Sequence, residues 1–240
     1  MSIELAVDGL GVATLSLARP DLNIFDLAMR DSFIEAVTAV RDHPDARALL
    51  LRAEGRHFSA GADIREFGTA DFPLDARRIR WDRDPWGPLW DLPQPSVVAL
   101  HGHAVGAGLE MALLCDIRLA DGTSSLGLPE TRLGMLPAAG GTQSLTRVVG
   151  PAAAFPIIAG AATLTAEEAL RRRIVHAVVE DVEAEGRAVA ERLAALDPVV
   201  AAAGRRALHA AGDLPLAEGL SVEHDLARWA RPQTTEGDAT

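Results

Sequence analysis

Three glycine-rich bends, interleaved with short apolar runs, constrain the fold of this chain more than any other feature. The bends lie at 59–63, 106–109 and 134–142. The apolar runs at 48–51 and 97–100 and the strand-like run at 117–120 have the length of buried strands. Helical patterns follow the bends, and this alternation of strand, turn and helix is typical of an α/β fold whose strands are largely buried.

The first 50 residues predict a hairpin and then a helix. Apolar residues alternate around the turn at 8–11, which favours two paired strands. Asp26 is placed to cap a helix that carries Val37 and Val40 on one face and ends before Pro44.

The segment 71–95 contains five prolines and three tryptophans, Trp81, Trp86 and Trp90. We interpret it as a helical excursion over the surface, in which the tryptophans pack onto the body of the protein or line a binding pocket. Further along, Thr165 and Glu168 have the spacing of a capping box, and the pattern is helical from 183 onward.

Composition excludes several classes of function. A chain of 240 residues with 48% hydrophobic residues can build an extensive core. Its formal net charge of −11 disfavours binding to nucleic acid or to anionic membranes. All 23 basic residues are arginine, which excludes Schiff-base chemistry and a Walker lysine.

The expected location is the cytoplasm. Cys115 is the only cysteine, so no intrachain disulfide can form and a reducing compartment is the simplest setting. The N-terminus lacks the basic and apolar regions of an export signal, and no run reaches the roughly 18 apolar residues of a membrane span.

Glu110 and Glu130 are candidate acid–base residues, because each lies next to a glycine-rich bend. Glu110 follows a tight turn that presents backbone N–H groups before a helix. Taken singly, Glu110 is typical of a solvated glutamate in the first turn of a helix, and Glu130 of an ordinary loop charge. Together with the turns, the two carboxylates favour a catalytic pocket.

Other reactive side chains have simpler interpretations. His101 and His103 lie on the same side of a strand, but no third residue at a familiar spacing completes a metal site. Cys115 is expected to fill apolar space on its helix. Asp63 is expected to cap the short helix that follows its loop.

Three segments, in their order and spacing, resemble the crotonase family, the enoyl-CoA hydratases and isomerases. They are His57-Phe58-Ser59-Ala60-Gly61-Ala62-Asp63-Ile64, the run from His101 to Glu110, and the run from Pro129 to Gln143. The resemblance begins at 19–23 and covers nearly the whole chain, to about Gly237.

This resemblance implies a spiral of ββα turns. Residues 1–194 would form the core with an acyl-CoA site, and 195–240 a helical C-terminal segment, shorter than usual, for assembly into a homotrimer or a dimer of trimers. The N–H groups of Ala62 and Ala107 would form an oxyanion hole, Glu110 would activate water, and Glu130 would exchange a proton at Cα. The implied substrate contacts are Arg56, Ala60, Ile64, Arg65, Gly106, Gly108 and Ala138. Arg77, Arg78 and Arg80 would add positive charge for the CoA phosphates if their segment folds over the ligand.

The implied reaction is hydration of a 2-enoyl-CoA, with no metal or other cofactor, since coenzyme A is part of the substrate. Isomerases of the family commonly use one acidic residue, at the place of Glu130, so the presence of Glu110 favours a hydratase. Two alternatives stay open: a double-bond isomerase and a non-catalytic acyl-CoA-binding subunit.

Three features depart from the family pattern. Arg173 stands where relatives usually have glycine, so a left-handed helix end there would cost about 1 kcal/mol. Ala138 replaces a frequent glycine whose N–H helps to place the catalytic water. The chain ends with 235–240, where relatives continue into a basic and aromatic tail that contacts CoA.

Overall fold

The structure is a computed structural model that describes residues 2–75 and 83–230. Predictions for Arg77, Arg78, Arg80, Trp81 and the segment 235–240 fall outside the described residues. The strands are β1 (Ile3–Val7), β2 (Val12–Leu17), β3 (Ala48–Ala53), β4 (Ser96–Leu100), β5 (His103–Val105), β6 (Ile117–Asp121), β7 (Ser125–Gly127), β8 (Thr163–Thr165) and β9 (Ala177–Val179).

Helices connect and cover these strands. The α-helices are α1 (Leu27–Asp42), α2 (Trp86–Trp90), α3 (Ala107–Ala112), α4 (Gly141–Val149), α5 (Pro151–Ala159), α6 (Ala166–Arg171), α7 (Val182–Ala194), α8 (Pro198–Asp213) and α9 (Leu216–Trp229). Two short 3₁₀ helices cover Ile64–Glu66 and Pro129–Leu133.

The strands form two sheets. The larger sheet has the order β1-β2-β3-β4-β6-β9; β1 is antiparallel to β2, and the other neighbours are parallel. The smaller sheet has the order β5-β7-β8, with β5 parallel and β8 antiparallel to β7. Two strands followed by a helix recur, as in β4-β5-α3 and β6-β7-α4, which is the predicted ββα arrangement.

Both faces of the central strands of the larger sheet are buried. Leu49 and Leu51 of β3 belong to the main core cluster together with Phe33 of α1. Leu50 points the other way and joins a second cluster with Val189 of α7. Because side chains alternate along a strand, burial on both faces requires a continuous apolar run, and this is why β3 could be predicted.

Most of the predicted turns and caps are confirmed. β1 and β2 form the expected hairpin. Asp26 caps α1 by accepting the N–H of Met29 at 2.9 Å, and Thr165 and Glu168 form the capping box of α6. The left-handed helix end is also present, since Arg173 has a φ of 62° just beyond α6.

α3 ends at Ala112, so Cys115 lies beyond the helix on which it was expected. The chain then turns so that Asp116 accepts hydrogen bonds from the N–H and hydroxyl of Ser96, both at 2.8 Å, before β6 begins. Cys115 is buried as expected, and burial raises the pKa of its thiol to about 12.

The excursion after residue 71 returns to the body at α2. Trp86 is buried and packs edge-on against Phe25 and Phe33, with ring centroids 5.2 and 5.7 Å apart. The predicted packing of this tryptophan onto the body is therefore confirmed.

The C-terminal helices α8 and α9 pack on each other. Arg205 of α8 is buried and pairs with Asp116 at 2.8 Å, which ties α8 to the core. The boundary near 194 and the role of this segment in oligomer assembly stay predictions. Within the described residues, no helix is both long enough and apolar enough to cross a membrane.

Candidate active site

The glycine-rich bends meet around a pocket of 840 Å3. The predicted site residues that line it are Ala60, Ala62, Ile64, Gly106, Ala107, Glu110, Glu130 and Ala138. Its other walls include Phe67, Trp86, Gly87, Trp90, Leu114, Leu133, Met135 and Leu136. Segments distant in the sequence therefore converge as the motifs predicted.

Asn23 holds the first bend in place. Its buried side chain accepts the N–H of Arg19 at 2.9 Å and donates to the carbonyl oxygens of Glu54 and His57 at 3.0 and 2.8 Å. The hydroxyl of Ser59 donates to the carbonyl oxygen of Asn23 at 2.8 Å. The sequence placed Asn23 in the first turn but gave no sign of this bracing role, because most of these partners lie far along the chain.

The first and second bends are in direct contact. Gly61 has a φ of 93°, and a Cβ there would lie 2.9 Å from the carbonyl oxygen of Val105 and 3.4 Å from the nitrogen of Ala107. The amides of Ala62 and Ala107 thus belong to adjacent backbone segments. Within the described residues neither N–H donates a hydrogen bond, so both are available to an acceptor in the pocket.

Glu110 is a buried carboxylate fixed by the third bend. Its side chain is on α3, and the residue is only 3% exposed. Oε1 accepts the N–H groups of Ala139 and Gly141, each at 2.9 Å. Hydrogen bonds from two backbone amides stabilise the ionised form of a carboxylate and fix its orientation. The sequence did not identify Ala139 and Gly141 as its partners.

Glu130 faces the same pocket from the second 3₁₀ helix. Burial raises the pKa of Glu130 to about 7. A hydrogen bond from its own backbone N–H lowers this pKa, and the charge of Glu110 raises it. Among the described residues, its buried Oε2 has no hydrogen-bond partner. A Cβ at Gly106 would lie 3.1 Å from Oε1, which places the carboxyl against the second bend. A carboxyl with a pKa near neutrality suits proton exchange.

Three predicted substrate contacts do not line the pocket. Arg56 is exposed. Arg65 is bound to Asp63 by a two-pronged hydrogen bond of 2.9 and 2.6 Å, with 78% of its side chain exposed. Gly108 serves close packing, because a Cβ there would lie 2.7 Å from Cβ of Ser59. Their contacts with a substrate stay predictions.

Asp63 has the predicted structural role. It caps the first 3₁₀ helix by accepting the N–H of Arg65 at 3.0 Å, and hydrogen bonds from Arg65 lower its pKa to about 2. The nearby histidines pack on one another: the rings of His57 and His103 stack with centroids 4.3 Å apart. Among the described residues, no three His, Cys, Asp or Glu side chains lie close enough to hold a metal ion.

Solved structures show which class of protein has this fold. Enoyl-CoA hydratase subunit I of Geobacillus kaustophilus superimposes with a TM-score of 0.89 at 34% identity, over 95% of this chain and 89% of that one. The enoyl-CoA hydratase of Bacillus anthracis gives a TM-score of 0.88 at 29% identity, over 95% of this chain and 90% of that one. The predicted crotonase-type fold is thereby confirmed.

Sequence comparison gives the family. Residues 8–236 match the family model described as enoyl-CoA hydratase/isomerase. A probable enoyl-CoA hydratase of Mycobacterium bovis is 34% identical over 233 residues, which cover 95% of this chain and 90% of that protein. A probable enoyl-CoA hydratase of Bacillus subtilis is 37% identical over 198 residues, covering 81% and 75% respectively. The chain belongs to the enoyl-CoA hydratase/isomerase family.

Proposed function

We propose that the protein adds water to the double bond of a 2-enoyl-CoA thioester, or catalyses the reverse dehydration. The observation that carries this proposal is the pair of carboxyl groups, Glu110 and Glu130, that line one pocket. Addition of water moves two protons, one from water and one to carbon, so it uses two acid–base groups where isomerisation can use one.

The amides of Ala62 and Ala107 support stabilisation of the intermediate. When hydroxide adds at Cβ, negative charge develops on the thioester oxygen, and preorganised N–H donors reduce the barrier. Removing one such donor typically costs about 3 kcal/mol in the transition state. The contact between the first and second bends supports a common acceptor position for these two donors.

The two carboxyl groups divide the proton transfers. Glu110, oriented by the amides of Ala139 and Gly141, takes a proton from water as the C–O bond forms at Cβ. Glu130, with its pKa near 7, delivers a proton to Cα as the enolate collapses. Return of a proton from Glu110 to Glu130 between turnovers restores the starting state, and dehydration reverses all of these transfers. This chemistry draws on no metal or redox cofactor.

The proposed working form is a homotrimer or a dimer of trimers that binds acyl-CoA thioesters. This proposal is supported by Leu208 and Leu216 on the C-terminal helices, which are 76% and 79% exposed. Assembly would cover this apolar surface. Sedimentation or light scattering of the purified chain tests the assembly.

Two absorbance assays on the wild-type protein test the reaction. With a short 2-enoyl-CoA, hydration removes the absorbance of the conjugated thioester. With the matching 3-enoyl-CoA, isomerisation creates it. We expect turnover in the first assay to exceed turnover in the second. Faster isomerisation would assign the alternative reaction, and acyl-CoA binding without turnover in either assay would assign a non-catalytic subunit.

A further inference from the structure

Trp90, the last residue of α2, lies between two cavities. Among the described residues, it alone lines both the active-site pocket of 840 Å3 and a second cavity of 880 Å3. The second cavity is otherwise enclosed by the short segment 91–93 and by residues of α8 and α9. The Trp90 side chain therefore partitions the two spaces.

Contacts through Asp116 and His209 place Trp90 beside the turn after α3, beyond the stretch that begins at the oxyanion amide of Ala107. Ala107, Glu110 and Leu114 all line the pocket, so it runs beside α3 and the turn after it. At a rise of about 1.5 Å per residue, this stretch covers about 10 Å. Asp116 follows two residues later and contacts His209 at 3.4 Å, and the His209 ring stacks on Trp90 at 3.9 Å.

Side chains of helix α8 fix the position of Trp90. Besides the His209 stack, Arg205 donates to the carbonyl oxygen of Trp90 at 2.8 Å and also to that of Leu92. Arg205 is itself buried and paired with Asp116. Trp90 is thus fixed through its ring and through its backbone by side chains of one helix.

We propose that Trp90 closes the acyl end of the pocket and restricts the enzyme to short and medium acyl chains; this inference rests on the proposed function. An extended chain advances about 1.2 Å per bond, since three backbone bonds of a polypeptide span about 3.6 Å. A length of about 10 Å therefore takes an acyl group of roughly eight carbons. Longer chains reach the indole ring.

Replacement of the Trp90 side chain by a methyl group connects the two cavities. In Trp90→Ala, an acyl chain that is too long for the wild-type pocket can continue into the second cavity. Each additional methylene buried there raises affinity by roughly fourfold. Short acyl groups gain nothing, because they end before Trp90.

The test compares Trp90→Ala with Trp229→Ala across a panel of saturated and 2-enoyl-CoA thioesters of 4 to about 16 carbons. Trp229 lines the second cavity but not the active-site pocket, and it is 63% exposed. Trp229→Ala is therefore a matched control for the loss of an indole ring. Binding of the saturated thioesters is measured by calorimetry and hydration of the enoyl thioesters by absorbance. Melting temperatures verify folding, and Trp90→Leu, which also removes the ring, replaces Trp90→Ala if the latter does not fold.

We expect the ratio of long-chain to short-chain affinity to rise by at least about tenfold in the Trp90 variant and to stay unchanged in Trp229→Ala. An unchanged ratio in a folded Trp90 variant, or wild-type protein that binds long and short chains equally well, would overturn the inference. Binding is measured independently of turnover. A wild-type protein that binds short thioesters without hydrating them would therefore contradict the proposed function but not the inference about Trp90.

Discussion

The amide nitrogen of Gly141 lies 2.9 Å from Oε1 of Glu110, and the position of this amide requires glycine. A Cβ at 141 would lie 2.8 Å from the same oxygen and 2.9 Å from Cγ of Glu110. The third bend can therefore orient the buried carboxylate only if residue 141 has no side chain.

Gly141→Ala is expected to disturb Glu110 without unfolding the protein. The methyl group would push the carboxylate out of line with the water it activates, so kcat should fall by about a hundredfold, the lower end of what a misplaced acid–base group costs. Gly204→Ala is the matched control, because Gly204 also lies in a helix and a Cβ there meets no atom within 4 Å. Equal activity of the two variants would disprove this positioning role.

Glu110→Gln should lower kcat for hydration by a factor of about 10² to 10⁴, because the amide cannot accept the proton of water. Isomerisation of a 3-enoyl-CoA, measured on the same preparation, should fall far less, since it requires only Glu130. Hydration at the wild-type rate would contradict the assignment of Glu110 as the base.

The sequence predicted the parts of this site that depend on neighbouring residues. Glu110 stands beside the bend that carries Ala107, and the glycines mark where the backbone must turn. The partners of Glu110 could not be predicted, because Ala139 and Gly141 lie 29 and 31 residues away and approach only once α4 packs on α3. No local pattern encodes that contact.

The sequence also did not predict that neighbouring side chains compete with a ligand for the same group. Arg65 has the charge to bind a phosphate, but Asp63, two residues earlier, engages its guanidinium group. Likewise the tryptophan content of 71–95 indicated burial, yet the stack of Trp90 on His209 depends on how α8 docks. The fold followed from strand and turn patterns, whereas these side-chain pairings follow from the final packing.

The pH dependence of hydration should reveal the shared proton of the two carboxyl groups. Hydration requires Glu130 protonated while Glu110 is ionised. With the pKa of Glu130 at about 7, kcat/KM should fall by about tenfold per pH unit well above pH 7. Because the equilibrium constant of hydration is independent of pH, dehydration must show the same decline. A rate constant that stays level to about pH 9, in protein that remains folded, would contradict this role.

Glu130→Gln should stabilise the protein at high pH while it abolishes hydration. The folded-state pKa of Glu130 is about 7, above the 4.5 that is usual for a glutamate, so wild-type stability is lost as the pH rises from 4.5 through 7. Glutamine does not titrate and avoids this loss. At pH 8, with allowance for solvent screening of this half-buried carboxyl group, the gain is on the order of 2 kcal/mol, or roughly 4 to 8 °C in Tm, and it should vanish near pH 4.

Thermal melts of Glu130→Gln at several pH values provide the measurement. Glu4→Gln, which changes an exposed carboxylate of β1, is the control and should give a small shift in Tm at every pH. A Tm difference between Glu130→Gln and wild type that does not grow with pH would show that burial of the Glu130 charge does not limit stability.

Arg205→Ala should destabilise the protein strongly, because Arg205 neutralises Asp116 in a buried site. Burial alone would raise the pKa of Asp116, but the hydrogen bond with His209 and the charge and hydrogen bonds of Arg205 lower it to about 2. Removing one partner of a buried pair costs about 3 to 5 kcal/mol, so we expect Tm to fall by roughly 10 °C. The variant also leaves the carbonyl oxygens of Trp90 and Leu92 without their donor.

Arg147→Ala is the matched control for this prediction, since Arg147 pairs with Asp213 at the end of the same helix at 2.8 Å. Both partners of that pair are about half exposed, with side-chain exposures of 49% and 48%, and such surface pairs contribute about 1 kcal/mol or less. Acid unfolding gives a second measurement. The stability that Asp116 contributes is present above pH 3.8 and is lost as the pH falls toward 2 in the wild type. Without Arg205 the Asp116 carboxyl group protonates more readily, so its contribution to stability should disappear at a higher pH. Equal shifts in Tm and in acid unfolding in the two variants would contradict the anchoring role of Arg205.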